Sequence, residues 1–336
     1  MNGLERILAT VRHGQPDRVP IVPQVFGHAA RLGGVPLRRY LTDATVLAQC
    51  QLDAWRDYGT DAMFGLFDAC VETEALGSGM RYPEDGYPDV ERFILEQPGD
   101  VAQLRIPDPG RAGRMPVALE ALRRLRQEGQ DQAMVAGCVL GPMTLACQLM
   151  GIEKTLFAAV DETPAFERML DFAVEVALAY GSAQLKAGAH LCIVFDPSAS
   201  PAVVPLAFFR ELLMPRLRRL CQGLKDAGAL ATWLHIAGPA EPILPLYPAC
   251  GVDIACIDYC VDPGRARALA PGLCLTGNVR PLAFVDSEPA AIAESCAQIL
   301  GIARMGGFML SSGCELPVEA RPECVRALTS AALAEV

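Results

Sequence analysis

Five short segments hold most of the side chains in this chain that could act together on a substrate or a metal. They are Asp196-Pro197-Ser198-Ala199-Ser200, His235-Ile236-Ala237-Gly238, Asp258-Tyr259-Cys260, Gly277-Asn278-Val279 and Ser311-Ser312-Gly313-Cys314-Glu315. Brought to one face, they would supply nitrogen, sulfur and oxygen donors together, the mixture that suits zinc. His235 and Cys314 are the first candidates for ligands, with Glu315 or Cys260 to complete the shell. Asp196, Asp258 and Asn278 are candidates for contacts to substrate or to the ligands themselves. Each has a plainer reading when taken alone. A single His is usually a hydrogen-bonded structural residue, the two aspartates could cap helices or orient loops, and the glycines beside Cys314 and Asn278 could only be making turns. Cys192, Cys256, Cys274 and Cys296 read as small core hydrophobes. His28 and His190 are weaker candidates, His190 because it precedes its strand, and His13 is expected exposed in an N-terminal helix.

What joins the five segments is that each follows a short apolar run. Such runs occur at 19–25, 62–67, 133–140, 190–195, 229–235, 252–257, 273–276 and 308–311, most of them separated by helix-like sequence. That alternation predicts an α/β fold, a single (β/α)8 TIM barrel spanning 1–336, whose chemistry sits where strands end and loops begin. Leu191-Cys192-Ile193-Val194-Phe195 is apolar throughout, as suits a parallel strand covered on both faces. Helices are expected over 164–186, with Thr163 as N-cap and Gly188 as terminator, and over 289–304, capped by Asp286 or Ser287.

The stretch 77–113 breaks the rhythm. It is rich in Pro, Gly and charge, and is expected to be an irregular excursion after strand two, either a lid or binding loop or a β-ribbon on the barrel side.

Composition narrows the classes. Half of the 336 residues are hydrophobic and a fifth are charged, enough to bury a large core. The net charge of −10 argues against nucleic acid as a partner. No apolar stretch reads as a membrane span, and thirteen cysteines without a basic-then-apolar leader point to the reducing cytoplasm.

Six segments together resemble the uroporphyrinogen decarboxylase superfamily. They are Asp17-Arg18-Val19-Pro20, Gly141-Pro142-Met143-Thr144-Leu145-Ala146, Asp196 to Ser200, Leu234-His235-Ile236-Ala237-Gly238, Gly277-Asn278-Val279 and Ser311 to Pro317. Within it the chain is most similar to the corrinoid-linked zinc methyltransferases, such as methylcobamide:coenzyme M methyltransferases. True uroporphyrinogen decarboxylases carry an arginine-rich segment at the first strand end, where this chain has only Arg31 among 24–33. The resemblance implies a methyltransferase that moves methyl between a methylcobamide on a small corrinoid protein and a small thiol, methoxy or methylamine compound. It also implies zinc as cofactor, with His235 and Cys314 among its ligands, and a homodimer, as is common in the family.

One position departs from the pattern. The family's His-x-Cys-Gly reads His235-Ile236-Ala237-Gly238 here. Either another donor completes the site (Cys260, Glu315, Asp196 or Asp258), or no metal binds, or Ala237 is an introduced change that disables the site. Two alternatives to methyl transfer stay open. One is a decarboxylase or lyase for a small carboxylate or tetrapyrrole, with Arg31, Arg38 and Arg39 as its cations and Asp68 stabilising a cationic intermediate. The other is a non-catalytic corrinoid- or tetrapyrrole-binding relative.

Overall fold

A computed structural model describes residues 1–333. Its strands are β1 Ala62–Phe64, β2 Gly79–Arg81, β3 Asp89–Arg92, β4 Met134–Leu140, β5 Leu191–Phe195, β6 Trp233–His235, β7 Ile254–Cys256, β8 Cys274–Val279 and β9 Phe308–Ser312. Seven of them form one curled parallel sheet in the order β1-β4-β5-β6-β7-β8-β9, with helices between successive strands, and β2 and β3 form a separate antiparallel ribbon. Every residue of the seven parallel strands is buried. That explains why they read as continuous apolar runs rather than alternating ones.

The first apolar run does not form a strand of its own. Ile21 makes an isolated parallel bridge to Leu310, and the backbone of Pro20 and Val22 bonds Leu310 at 2.8 Å on both sides. On the other side the Asp61 N–H donates to the Ile21 carbonyl at 2.8 Å. Pro20 and Pro23 flank this piece and have no N–H to give, so the ladder cannot lengthen. The segment is pinned instead by side chains. Asp61 accepts from the Ile21 N–H at 2.7 Å and from Arg18 and Arg6 at 2.7 and 2.5 Å. The Asp17-Arg18-Val19-Pro20 motif therefore serves closure at the end of the sheet away from the candidate site.

Local sequence explains most helix boundaries. Asp43 caps Ala44–Tyr58 by accepting the N–H groups of Thr45 and Val46, a contact type that contributes about 1 kcal/mol, and Gly59 ends the helix at φ 63°. The long helix Thr163–Ala187 starts with Pro in its first turn and ends at Gly188, φ 120°. Two expected caps are corrected. Thr163 lies inside its helix, its hydroxyl donating back to the Ala159 carbonyl, so the N-cap is Glu162. Helix Pro289–Ala303 is preceded by Glu288, which makes no side-chain cap bond.

The ribbon β2–β3 occupies the start of the expected excursion, and Pro98–Gln103 adds a 3-10 turn. A buried ion pair ties it down. Arg114 donates to both Asp68 oxygens at 2.5 and 3.1 Å, to Glu74 at 2.7 Å and to Tyr82 at 3.1 Å. No single helix among the described residues is long and apolar enough to cross a membrane. Among those residues all thirteen cysteines are free.

Candidate active site

His235 is the last residue of β6 and is buried, with 2% of its surface exposed. Its Nε2 lies 3.5 Å from the sulfur of Cys314, which follows β9. Its Nδ1 lies 3.0 Å from the side-chain nitrogen of Gln24, a fully buried residue on the segment that bridges β9 and β1. The Gln24 oxygen has no partner. As the amide stands it donates to Nδ1, which puts the neutral ring's proton on Nε2, facing the sulfur. Turned end for end, the Gln24 oxygen would accept a proton on Nδ1 and leave the Nε2 lone pair free. Burial pushes His235 down to about 4, so the ring is neutral at pH 7. Burial also pushes the Cys314 thiol up to about 11.

An aromatic path leads from this pair to the protein surface. Phe195 packs against His235 with ring centres 4.8 Å apart, and Phe67 stacks on Phe195 at 3.9 Å. Phe67 lines a cavity of about 560 Å³ whose walls come from the loops after β1, β5 and β9, from the ribbon, and from helix Pro142–Met150. This is the end of the sheet to which parallel strands deliver their C-termini, where catalysis is usual in such folds. Glu315 reaches the same cavity. It accepts a short hydrogen bond from Tyr87 of the ribbon, whose oxygen in turn accepts the Gly27 N–H at 2.9 Å. Burial pushes the Glu315 carboxyl up to about 7.

The other expected site residues hold backbone. Asp196 is fully buried and accepts the N–H groups of Thr144, at 2.7 Å, and Met143, at 3.5 Å, in the first turn of helix Pro142–Met150. Burial raises it to about 6. A Cβ at Gly141 would lie 2.4 Å from the Asp196 side chain, so glycine at 141 makes that docking possible. Asp258 accepts the N–H groups of Gly238 and Tyr259, each at 2.6 Å. Asn278 donates to the carbonyls of Asp258 and Val261 at 3.1 and 2.7 Å. Gly313 passes so close to the Asp258–Tyr259 backbone that a Cβ would approach the Tyr259 nitrogen to 2.6 Å. Asp258, Asn278 and Gly313 thus brace the loop that carries Cys314 against the one that follows His235.

Cys260 is exposed and lines a different cavity, between 259–263 and 278–280. No group of three or more His, Cys, Asp or Glu side chains among the described residues is placed to hold a metal ion. His28 is buried between Tyr58 and the Val318 carbonyl, His190 bonds the Val135 N–H and Asp131, and His13 is exposed but lies just beyond the first helix, Gly3–Val11. Two residues went unnoticed in the sequence, Gln24 and Tyr87. A lone amide among Ile21, Val22, Val25 and Phe26 is the signal that could have exposed Gln24; Tyr87 offered none.

A model of the uroporphyrinogen decarboxylase family matches residues 2–334. The chain belongs to that family. It is 25% identical over 319 residues to the methylcobamide:CoM methyltransferase MtbA of Methanosarcina acetivorans, covering 92% of this chain and 91% of that protein. It is 26% identical over 244 residues to the uroporphyrinogen decarboxylase of Syntrophotalea carbinolica, covering 68% of this chain and 66% of that one. Among solved structures, a methyltransferase from Methanosarcina mazei superposes with a TM-score of 0.91 at 25% identity, covering 100% of this chain and 99% of the other. The family therefore includes both methyltransferases and decarboxylases, and an enzyme is what this chain's relatives are.

Proposed function

We propose that this uroporphyrinogen decarboxylase family member is a corrinoid-dependent methyltransferase, passing methyl between a methylcobamide on a small corrinoid protein and a small molecule in the Phe67–Glu315 cavity. We read the fold as a (β/α)8 barrel in which Pro20–Val22 takes the eighth strand position. The observation that carries the functional reading is the His235–Cys314 contact. Ligands about 2.0 Å (nitrogen) and 2.3 Å (sulfur) from one tetrahedral zinc ion lie roughly 3.5–3.6 Å apart. The Cys314 sulfur and His235 Nε2 stand 3.5 Å apart. They fit zinc in donor chemistry and separation, and His235 is already the neutral imidazole that a metal requires. The donor set is one short of the three protein ligands usual for catalytic zinc, because position 237 is Ala.

His235 and Cys314 would hold the ion. A zinc ion bound there supplies the charge that keeps a substrate thiol as thiolate or polarises the heteroatom of a methyl donor. Gln24 orients the imidazole by bonding Nδ1. Asp258 and Asn278 keep the two ligand-bearing loops in register, and Asp196 fixes the start of helix Pro142–Met150 against the cavity. Phe67 and Phe195 keep water from the path between cavity and imidazole.

The decarboxylase reading finds less support. Arg31 lines a separate cavity with Glu84 and Asp85, and Arg38 is itself exposed beside Glu84. Asp68 is spent on Arg114 rather than free to meet a cationic intermediate. The test is demethylation of methylcobalamin by purified protein supplied with zinc and a panel of thiol and amine acceptors. His235→Ala and Cys314→Ala should each lose most of the activity, roughly 100-fold or more, together with bound zinc. A His235→Ala protein that keeps both would overturn the proposal.

A further inference from the structure

The methyl-transfer reading leaves the small molecule unnamed, and the cavity wall narrows its class. Three acids line it, Asp68, Asp89 and Glu315, and none of its lining residues is Lys, Arg or His. The guanidinium behind the wall is committed. Arg114 is buried, donates from both Nη atoms to Asp68 and from Nε to Glu74 and Tyr82, and does not line the cavity, so its charge is balanced by the two acids behind the wall. Arg81 of the ribbon is exposed and donates to Asp89 at 2.6 Å. The remaining wall is mostly apolar and includes three aromatic rings. Phe67, Tyr87 and Phe93 contribute to it, and Phe93 is 42% exposed with its ring against Gly151 at the cavity edge.

A sulfonate or carboxylate entering this space would give up its hydration and find no charged donor in return. An organic cation would meet the reverse situation. Aromatic faces attract it through the ring quadrupole, and Glu315 and the exposed Asp89, whose pairing with Arg81 is solvent-screened, offset its charge without demanding directional hydrogen bonds, Asp68 being committed to Arg114. We propose, building on the methyl-transfer reading, that the cavity binds a small organic cation of the methylated-ammonium class and discriminates against anionic thiols. The size is adequate, since about 560 Å³ falls in the ordinary range for small-molecule sites. Phe67 at its inner end adjoins Phe195 and so delivers the ligand toward His235.

Calorimetric titration of the full chain with three probes tests this: choline, its neutral isostere 3,3-dimethylbutan-1-ol, and 2-mercaptoethanesulfonate. Choline should bind about ten-fold or more tighter than the isostere, and the sulfonate weakest of all. Phe93→Ala and Asp89→Lys both alter exposed side chains, and each should weaken choline about ten-fold, Asp89→Lys also improving the sulfonate. Sulfonate binding equal to or tighter than choline, equal binding of choline and its isostere, or no binding of any probe overturns the inference. Methylcobalamin demethylation, run separately, tells its failure from that of the methyl-transfer reading. Choline binding without methyl transfer keeps the inference and sinks the reaction, whereas methyl transfer to the sulfonate thiol without choline binding does the opposite.

Discussion

The sulfur of Cys314 lies 3.5 Å from Nε2 of His235, the spacing of two ligands that share one tetrahedral ion. The residues reach this position from strands β6 and β9, which are not neighbours in the sheet. Nothing but the fold brings them together.

The first prediction concerns the donor that is lacking. Wild-type protein with two protein ligands should lose zinc readily on dialysis against a chelator. Ala237→Cys restores the third donor and should tighten zinc by on the order of 100-fold or more. Elemental analysis and competition with a colorimetric chelator measure both. Equal affinity in the two proteins would mean that position 237 does not face the ion.

Much of this site was legible in advance because a parallel α/β fold delivers its chemistry to strand ends, and strands buried on both faces announce themselves as apolar runs. His235 and Cys314 were found that way. The roles of Asp196 and Asp258 were not, because a carboxylate after a strand looks the same in sequence whether it faces a substrate or a neighbouring loop's N–H groups. Cys260 follows Asp258 by two residues, yet the turn at Tyr259 sends it to another cavity. Tyr87 was illegible for a different reason. Its contact with Glu315 spans 228 residues and depends on how the β2–β3 ribbon folds back over the mouth. The run at 19–25 reads as a strand in the sequence, but its two prolines leave it only the isolated bridge from Ile21 to Leu310.

Gln24 offers a second prediction, separate from the ligands. Its amide is the group that bonds Nδ1 of His235, and removing it should loosen the ring's orientation. Gln24→Leu should weaken zinc about 10- to 100-fold while the fold, followed by circular dichroism, stays intact. Gln24→Glu keeps an oxygen that accepts the Nδ1 proton and should retain most of the affinity. If Leu and Glu behave alike, the contact with Nδ1 has no bearing on the metal.

Thiol reactivity gives a third. Burial raises Cys314 to about 11 from an ordinary value of 9.0, so at neutral pH its thiolate fraction is about 100-fold below that of an unburied cysteine. Alkylation of Cys314 by iodoacetamide should therefore be slow at pH 7 and rise about ten-fold per pH unit toward pH 10. The exposed Cys260 should be modified first. Peptide mass spectrometry over a pH series resolves the two sites, and rapid modification of Cys314 at pH 7 would contradict the burial argument.

Arg114 supplies a fourth. Its guanidinium satisfies Asp68 and Glu74 together, so Arg114→Ala leaves a buried carboxylate without its partner and should cost about 3–5 kcal/mol. Combining it with Asp68→Asn removes the stranded charge and should recover part of that loss. Urea unfolding of the three proteins measures the difference, and additive losses in the double variant would show that the pair is not coupled.

Glu72 gives the last prediction, and its sign can be worked out. The side chain is 2% exposed, accepts the Leu140 N–H at 2.7 Å, and is raised by burial from 4.5 to about 7. The folded protein therefore binds its proton more tightly than the unfolded chain does. The stability this group contributes is fully present below about pH 4.5 and is lost as pH rises through 7. The buried histidines shift the other way and in a lower window. His235 and His190 are both pushed down to about 4, so their contribution is complete above pH 6.5 and lost as pH falls toward 4. Glu315 and Asp196 titrate near Glu72, so only a variant isolates its share. Glu72→Gln keeps an oxygen for the Leu140 N–H and never ionises. Between pH 4.5 and 8.5 the wild type should lose roughly 3 kcal/mol relative to Glu72→Gln in urea unfolding. Parallel pH slopes for the two proteins would mean that Glu72 is already ionised in the fold, and that its burial is offset by the Leu140 N–H and the nearby Arg114.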